Sequence, residues 1–373
     1  MTAGLVKRLL NAIQQSDNSD VRAYRTAELA CYWARIGEFE GAKKLLLQLR
    51  ESHGKGEHAK VSILIILLEG LLKFYNDLDP KGRDRFERAA FLSEYFGFQD
   101  LTAITYSSLA HIDFNMCRFK EFSQDIDKCL GSLRRENYDA ECRVSLVLGD
   151  AFLYCQYPSQ SQAWYERSRI AYTKLGDQAA IGAITHNRSA LRASNMRLAI
   201  QELKIDDSEI HEIGTEIKSS MSYQSIVGQR SLNNILTASL IGVEVCMRNF
   251  SVALESSNIL LSSDSIPKHT GEHLMVMSDQ ALCLAKLGQN HLASEALLAI
   301  RKIDLEALGY DDRSIIAWTL SEVAKELGLH LEAHELLKSS RLSLAEHKSK
   351  IKEFYLMIET HQAKPASMGR NSS

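Results

Sequence analysis

Gly37-Glu-Phe39-Glu-Gly-Ala42 is the stretch that decides the fold. A glycine after Trp33-Ala-Arg-Ile36 ends one helix and lets the chain reverse. A bulky residue two places on packs back over that helix. A small residue five places on lets two antiparallel helices approach closely, where a long side chain would hold them apart. The stretch predicts a helical hairpin, which cannot bury its apolar face alone and needs stacked neighbours.

Working outward, the same pattern recurs. Gly288, Asn290, Ala293 and Gly328, His330, Ala333 repeat it closely. Weaker copies are Asp84, Phe86, Ala89; Cys117, Phe119, Phe122; Ser194, Met196, Ala199; and Arg248, Phe250, Ala253. Pro158, Gln160, Ala163 is the poorest. The first positions run 37, 84, 117, 158, 194, 248, 288 and 328, in steps of 47, 33, 41, 36, 54, 40 and 40. Between them the apolar residues keep helical spacing, as in Leu274, Met277, Ala281, Leu284 and Leu287. Ser159 with Gln162 reads as a capping box, and Asp79-Pro80 as a cap followed by proline in a first turn.

These residues resemble tetratricopeptide (TPR) repeats. Helix A of that family carries a bulky residue, then Leu and a small residue, and helix B follows with an aromatic and an alanine. Leu29-Ala30, Trp33, Gly37, Phe39 and Ala42 fit, as do Tyr106, Leu109-Ala110, Cys117 and Phe119. The resemblance covers roughly residues 21–344. Several steps exceed the family period of about 34 residues, and the proline that usually closes helix B is missing from most copies. It implies an all-α fold: a right-handed α-solenoid of about eight antiparallel helix hairpins, a TPR-like superhelix. Residues 1–20 are expected to be an N-terminal capping helix and 21–344 the array, irregular or lengthened near 204–229. Residues 345–361 are expected to be a C-terminal capping helix and 362–373 a disordered tail.

Composition agrees with a helical protein. Hydrophobic residues make up 45% and charged residues 24% of 373, enough apolar surface to offset ordering entropy. Only 4 prolines and 20 glycines occur, which disfavours a turn-rich β sandwich or barrel. The net charge of −3 argues against a dedicated nucleic-acid binder, whose affinity comes largely from neutralising phosphates. The longest apolar run, Ile63–Leu68, is far too short to span a bilayer, and the N-terminus lacks the apolar core of a signal peptide. Seven cysteines, none in a C-x-x-C pair, read as buried thiols in a cytoplasmic protein.

Catalytic patterns are missing. Gly54-Lys-Gly56 lacks P-loop spacing, and His211-Glu-Ile-Gly-Thr215 places Thr where a zinc-protease helix needs its second histidine. His330 and His334 share a helix face but have no evident third ligand. The pairs Asp125/Asp127, Asp206/Asp207 and Asp311/Asp312 do not aim two carboxylates at one point of a helix, and read as caps and solvated faces. The expectation is a non-enzyme with no cofactor and no metal.

The resemblance also implies a site. In a TPR superhelix, residues nine and thirteen of each helix A line the concave groove. Setting the turn residue at fifteen gives Cys31 and Arg35; His111 and Asn115; Phe152 and Gln156; Arg188 and Arg192; Leu282 and Lys286; and Glu322 and Glu326. Arg35, His111, Asn115, Gln156, Arg188, Arg192 and Lys286 are therefore the candidates for holding a protein or peptide partner. The expected function is a scaffold or adaptor, with a ligand-responsive regulator as the alternative. Neither nucleic acid nor membrane is an expected partner, and self-association into a homo-oligomer is compatible with the fold.

Overall fold

Gly37 takes φ 87°, in the left-handed region, and its N–H bonds back to the carbonyl of Ala34 while that of Glu38 reaches Trp33. This is the two-bond closure that satisfies the last carbonyls of a helix. The same bonds, at the same offsets, recur around Cys117, Gln156, Arg248, Gly288 and Gly328, all at positive φ. In all six the next helix begins two residues later, at Phe39, Phe119, Pro158, Phe250, Asn290 and His330. The residue five places on is buried each time: Ala42, Phe122, Ser161, Ala253, Ala293 and Ala333.

The computed structural model describes residues 4–53, 56, 58–76, 79, 81–227, 233–263, 266–268 and 270–362. Among them are seventeen α-helices and no strand: α1 (Gly4–Gln15), α2 (Ser19–Ile36), α3 (Phe39–His53), α4 (Ala59–Tyr75), α5 (Gly82–Tyr95), α6 (Gln99–Asn115), α7 (Phe119–Ser132), α8 (Tyr138–Tyr154), α9 (Pro158–Leu175), α10 (Gln178–Ile200), α11 (Asp207–Val227), α12 (Asn233–Cys246), α13 (Phe250–Ser262), α14 (Gly271–Lys286), α15 (Asn290–Arg301), α16 (Tyr310–Glu326) and α17 (His330–Ile358). A short 3₁₀ turn, Glu359–His361, follows. The chain divides into two compact units. One comprises Met1–Ile184, Gln224–Ser231 and Phe354–Ser373; the other, Thr185–Tyr223 and Leu232–Glu353.

In the first unit, α2 packs on α3 and α4, α4 on α5, α6 on α7 and α8, and α8 on α9. Gly149 on α8 shows how close the last pair comes: a Cβ there would stand 2.5 Å from the Tyr165 ring on α9. Helix α1 packs Leu5, Val6 and Leu9 against Leu29 and Tyr32 of α2, with Leu175 of α9 alongside. Its Leu5 N–H also donates to the Gly176 carbonyl at 3.1 Å. In the second unit α14 is central, packing against α12, α13, α15 and α16 around Leu274, Ala281, Leu297 and Leu320.

Several expectations change. Asp84 lies inside α5 and Ser194 inside α10, so neither is a turn residue. The turn after α10 falls at Leu203, φ 56°. Pro158 is the first residue of α9, with the turn at Gln156, so Ser159 stands inside the helix and is no cap. The capping helix expected over 345–361 is the end of the 29-residue α17. Pro80, residues 228–229 of the stretch 204–229, and the tail beyond Gln362 lie outside the described residues. No described helix is long and apolar enough to cross a membrane. Five of the seven cysteines are buried, Cys246 is half-buried and Cys117 is exposed. Burial pushes the thiols of Cys31, Cys129 and Cys155 up to about 12.

Ala42 is fully buried, while the adjoining Gly41 backs onto the Trp33 ring. Ala42→Leu is therefore expected to overpack the α2–α3 contact and cost about 1–3 kcal/mol. Urea unfolding of the full chain measures it, and an unchanged midpoint would contradict this packing.

Candidate functional site

The first unit carries a cavity of about 960 Å³. Its lining comes from the N-terminal ends of α2, α4, α6 and α8: Tyr24, Arg25 and Glu28; Lys60 and Val61; Asp100 and Ile104; Tyr138 and Asp139. Asp20, His58, Phe98, Arg135, Glu136 and Leu175 contribute around them. The packing of alternate helices, α2 on α4 and α6 on α8, explains this convergence. Within each pair the helices lie side by side, and the first turns of all four line the cavity.

The lining is mixed but acid-rich. Carboxylates come from Asp20, Glu28, Asp100, Glu136 and Asp139, against the cations Arg25, Lys60 and Arg135. Glu28 accepts from Arg25 at 2.7 Å. Burial, the dominant influence, raises the Glu28 carboxyl above its ordinary range in spite of Arg25. Arg143 Nη2 donates to both carboxylate oxygens of Asp139 at 3.0 Å, its Nε to one of them at 3.1 Å, and its Nη1 to Ser108 Oγ at 3.2 Å. Lys60 stands over the Phe98 ring at 5.1 Å and Lys174 over Tyr138 at 4.8 Å. Tyr24 supplies a broad aromatic face whose hydroxyl burial keeps protonated. The lining thus combines carboxylates, aromatic faces and partly paired cations.

Three of the expected groove residues lie on α2 and α6 of this unit. Arg35, near the end of α2, lies 3.7 Å from the buried carboxylate of Asp177 and over the Tyr32 ring. His111 on α6 stacks on Tyr75, with ring centres 6.3 Å apart, and meets Phe74 edge-on. Asn115 donates to the His111 carbonyl at 2.7 Å. Gln156 sits in the left-handed turn after α8, off the helix.

The others lie in the second unit, and each is held by an acid of the same unit. Arg188 and Arg192 on α10 share Glu216 of α11: Arg188 reaches it at 3.0 Å, and Arg192 also bonds Glu212 at 3.0 Å. The anion between the two guanidinium groups is thus a side chain of the protein. Lys286 bonds Glu326, another expected groove residue, at 2.6 Å. The sequence reading missed Tyr24, Glu28, Asp139 and Arg143. Of these, Asp139 and Arg143 carried a readable signal, an acid four residues before an arginine on one helix. Asp125, read as solvated, is buried; its carboxyl is pushed up to about 8, first by burial and then by hydrogen bonding to Asp113.

Burial, helped by the nearby Arg143 charge, pushes the His111 imidazole down to about 4. An unfolded histidine titrates near 6.5. Between these values the unfolded chain binds the proton and the folded one refuses it. Stability from His111 is therefore complete above pH 6.5 and is lost as pH falls towards 4. His111→Gln is expected to flatten the fall in urea midpoint between pH 7 and pH 5. An identical slope in wild type and variant would contradict the burial of a neutral imidazole.

No family model matches the sequence, and no curated protein matches it.

Proposed function

We propose that the protein is a non-enzymatic TPR-like scaffold, its hairpins stacked as a right-handed solenoid, which binds a short basic segment of a partner protein. The observation that carries this reading is the cavity of about 960 Å³ lined by the alternate helices α2, α4, α6 and α8. That volume lies at the upper end of ligand-binding pockets, which favours a peptide segment over a small metabolite. Its excess of carboxylates over cations selects positive charge, and Tyr24, Phe98 and Tyr138 offer faces to cations and apolar groups. A cytoplasmic adaptor, with neither nucleic acid nor membrane as partner, fits the composition. Selection from a random peptide display library on the immobilised full-length protein tests it. Enrichment of Lys- or Arg-containing peptides that also carry an apolar residue is expected, and no enrichment over a blank surface would overturn the reading.

A ligand-responsive regulator is the second reading, and one observation favours it. Leu175 lines the cavity and its carbonyl accepts from Arg8 of α1 at 3.1 Å. A ligand that displaces Leu175 would therefore loosen α1. Peptide-dependent hydrogen exchange in residues 4–15 would support this reading over a constitutive adaptor.

A further inference from the structure

We propose that Asp20, His53 and His58 form a binding site for a divalent first-row transition ion, with zinc as the best match to the donor set. The three come from different elements: Asp20 from the first turn of α2, His53 from the last residue of α3, and His58 from the residue that precedes α4. One ligand atom from each lies within 4.8 Å of the others. Asp20 Oδ2 is 3.2 Å from His58 Nδ1, and Asp20 Oδ1 is 3.7 Å from His53 Nε2. Tetrahedral zinc with bonds of about 2.0–2.1 Å places its ligands roughly 3.3 Å apart. The two histidines approach different oxygens of Asp20 at close to that spacing, and small side-chain rotations would bring three donors, already within 4.8 Å of one another, to coordination length.

Two local features favour coordination over chance proximity. His58 occupies the N-cap position of α4, yet its side chain makes no capping bond there and turns to Asp20. His53 Nδ1 lies 2.9 Å from Ser52 Oγ. Such a bond leaves Nε2, the nitrogen facing Asp20, with its lone pair for a metal, and fixes the ring. Two imidazoles and one carboxylate suit zinc, cobalt or nickel better than magnesium or calcium, which prefer all-oxygen sets. Three protein ligands leave one position for water or an incoming donor. The inference is independent of the peptide reading, although Asp20 and His58 also line the cavity.

Zinc chloride titrated into the chelator-treated full-length protein by calorimetry is the test, with cobalt chloride as a spectroscopic probe. One equivalent is expected to bind, with the intense visible absorption of tetrahedral cobalt. The His53→Ala, His58→Ala double variant should lose at least ~10-fold in affinity and the cobalt band, and Ser52→Ala should weaken binding about 10-fold. His330→Ala, His334→Ala is the control, because those two exposed histidines share a helix face. Circular dichroism of each variant reports folding, and a zinc-dependent rise in melting temperature confined to chains that keep His53 and His58 gives a second readout. Equal zinc affinity in wild type and the His53/His58 variant, or a loss confined to the His330/His334 variant, overturns the proposal.

Discussion

Asp279→Ala is expected to destabilise the second unit by about 3–5 kcal/mol. Asp279 on α14 is fully buried and receives both Arg197 nitrogens, at 2.7 and 2.6 Å, from α10. The same guanidinium donates to Thr319 on α16 at 3.1 Å, so one arginine ties three helices. Its stem also presses on Gly242 of α12, where a Cβ would stand 2.9 Å from the guanidinium. Removing the carboxylate leaves a buried cation without its counter-ion, which costs far more than the net value of the pair. The double variant Arg197→Met, Asp279→Leu should recover most of the loss, because apolar side chains of similar size remove both charges. Guanidinium unfolding followed by circular dichroism measures both. A single-variant loss below about 1 kcal/mol would show that the pair is solvated.

Phe354→Ala is expected to cost a further large amount, about 3–5 kcal/mol, in the first unit. Phe354, on the last turns of α17, is fully buried. It stacks on Phe119 at 4.0 Å between ring centres and stands edge-on to Phe122 at 5.3 Å. Tyr355 stacks on Tyr157 at 3.9 Å, Ser123 donates to the Met357 carbonyl, and Trp164 donates to the His361 carbonyl at 3.0 Å. Residues 354–361 are thus locked onto α7 and α9. Phe354→Leu should lose less than Phe354→Ala, since it keeps part of the volume. Equal, small losses in both would mean that residues 354–361 add little to the unit.

Most of the hairpin logic was legible because it is local. A turn residue, a helix start two places on and a buried residue five places on are all fixed within one hairpin. The misplacements have a common cause. The turns after α8 and α10 place Gln156 and Leu203 at positive φ, side chains that normally avoid it. Without glycine as a marker, Pro158 displaced the expected turn by two residues. Ser194 displaced it by nine, because α10 continues to Ile200. Counting from Leu203 instead, positions nine and thirteen are Arg197 and Gln201. Both make long-range bonds within the second unit: Gln201 accepts from Ser314 and Ser340, both at 2.9 Å.

The site was less legible, for reasons of distance along the chain. Arg35 and Asp177 are 142 residues apart, and nothing in either neighbourhood marks the other. Asp20 joins His53 and His58 only once α2, α3 and α4 have packed. Helix A residues were chosen near the C-terminal turn, where the TPR resemblance places groove positions, whereas the cavity opens at the helices' N-terminal ends.

Glu28 is the side chain on which the binding proposal turns, since its partly buried carboxylate faces the cavity beside Tyr24. Calorimetric titration of a library-selected basic peptide into the wild type and Glu28→Gln proteins is the most direct measurement. Glu28→Gln keeps the shape and removes the charge. The peptide is expected to bind the variant about 10–100-fold more weakly, the scale of one hydrogen bond to a charged group, with the melting temperature nearly unchanged. Equal affinity for both proteins would contradict the assignment of the cavity as the binding site.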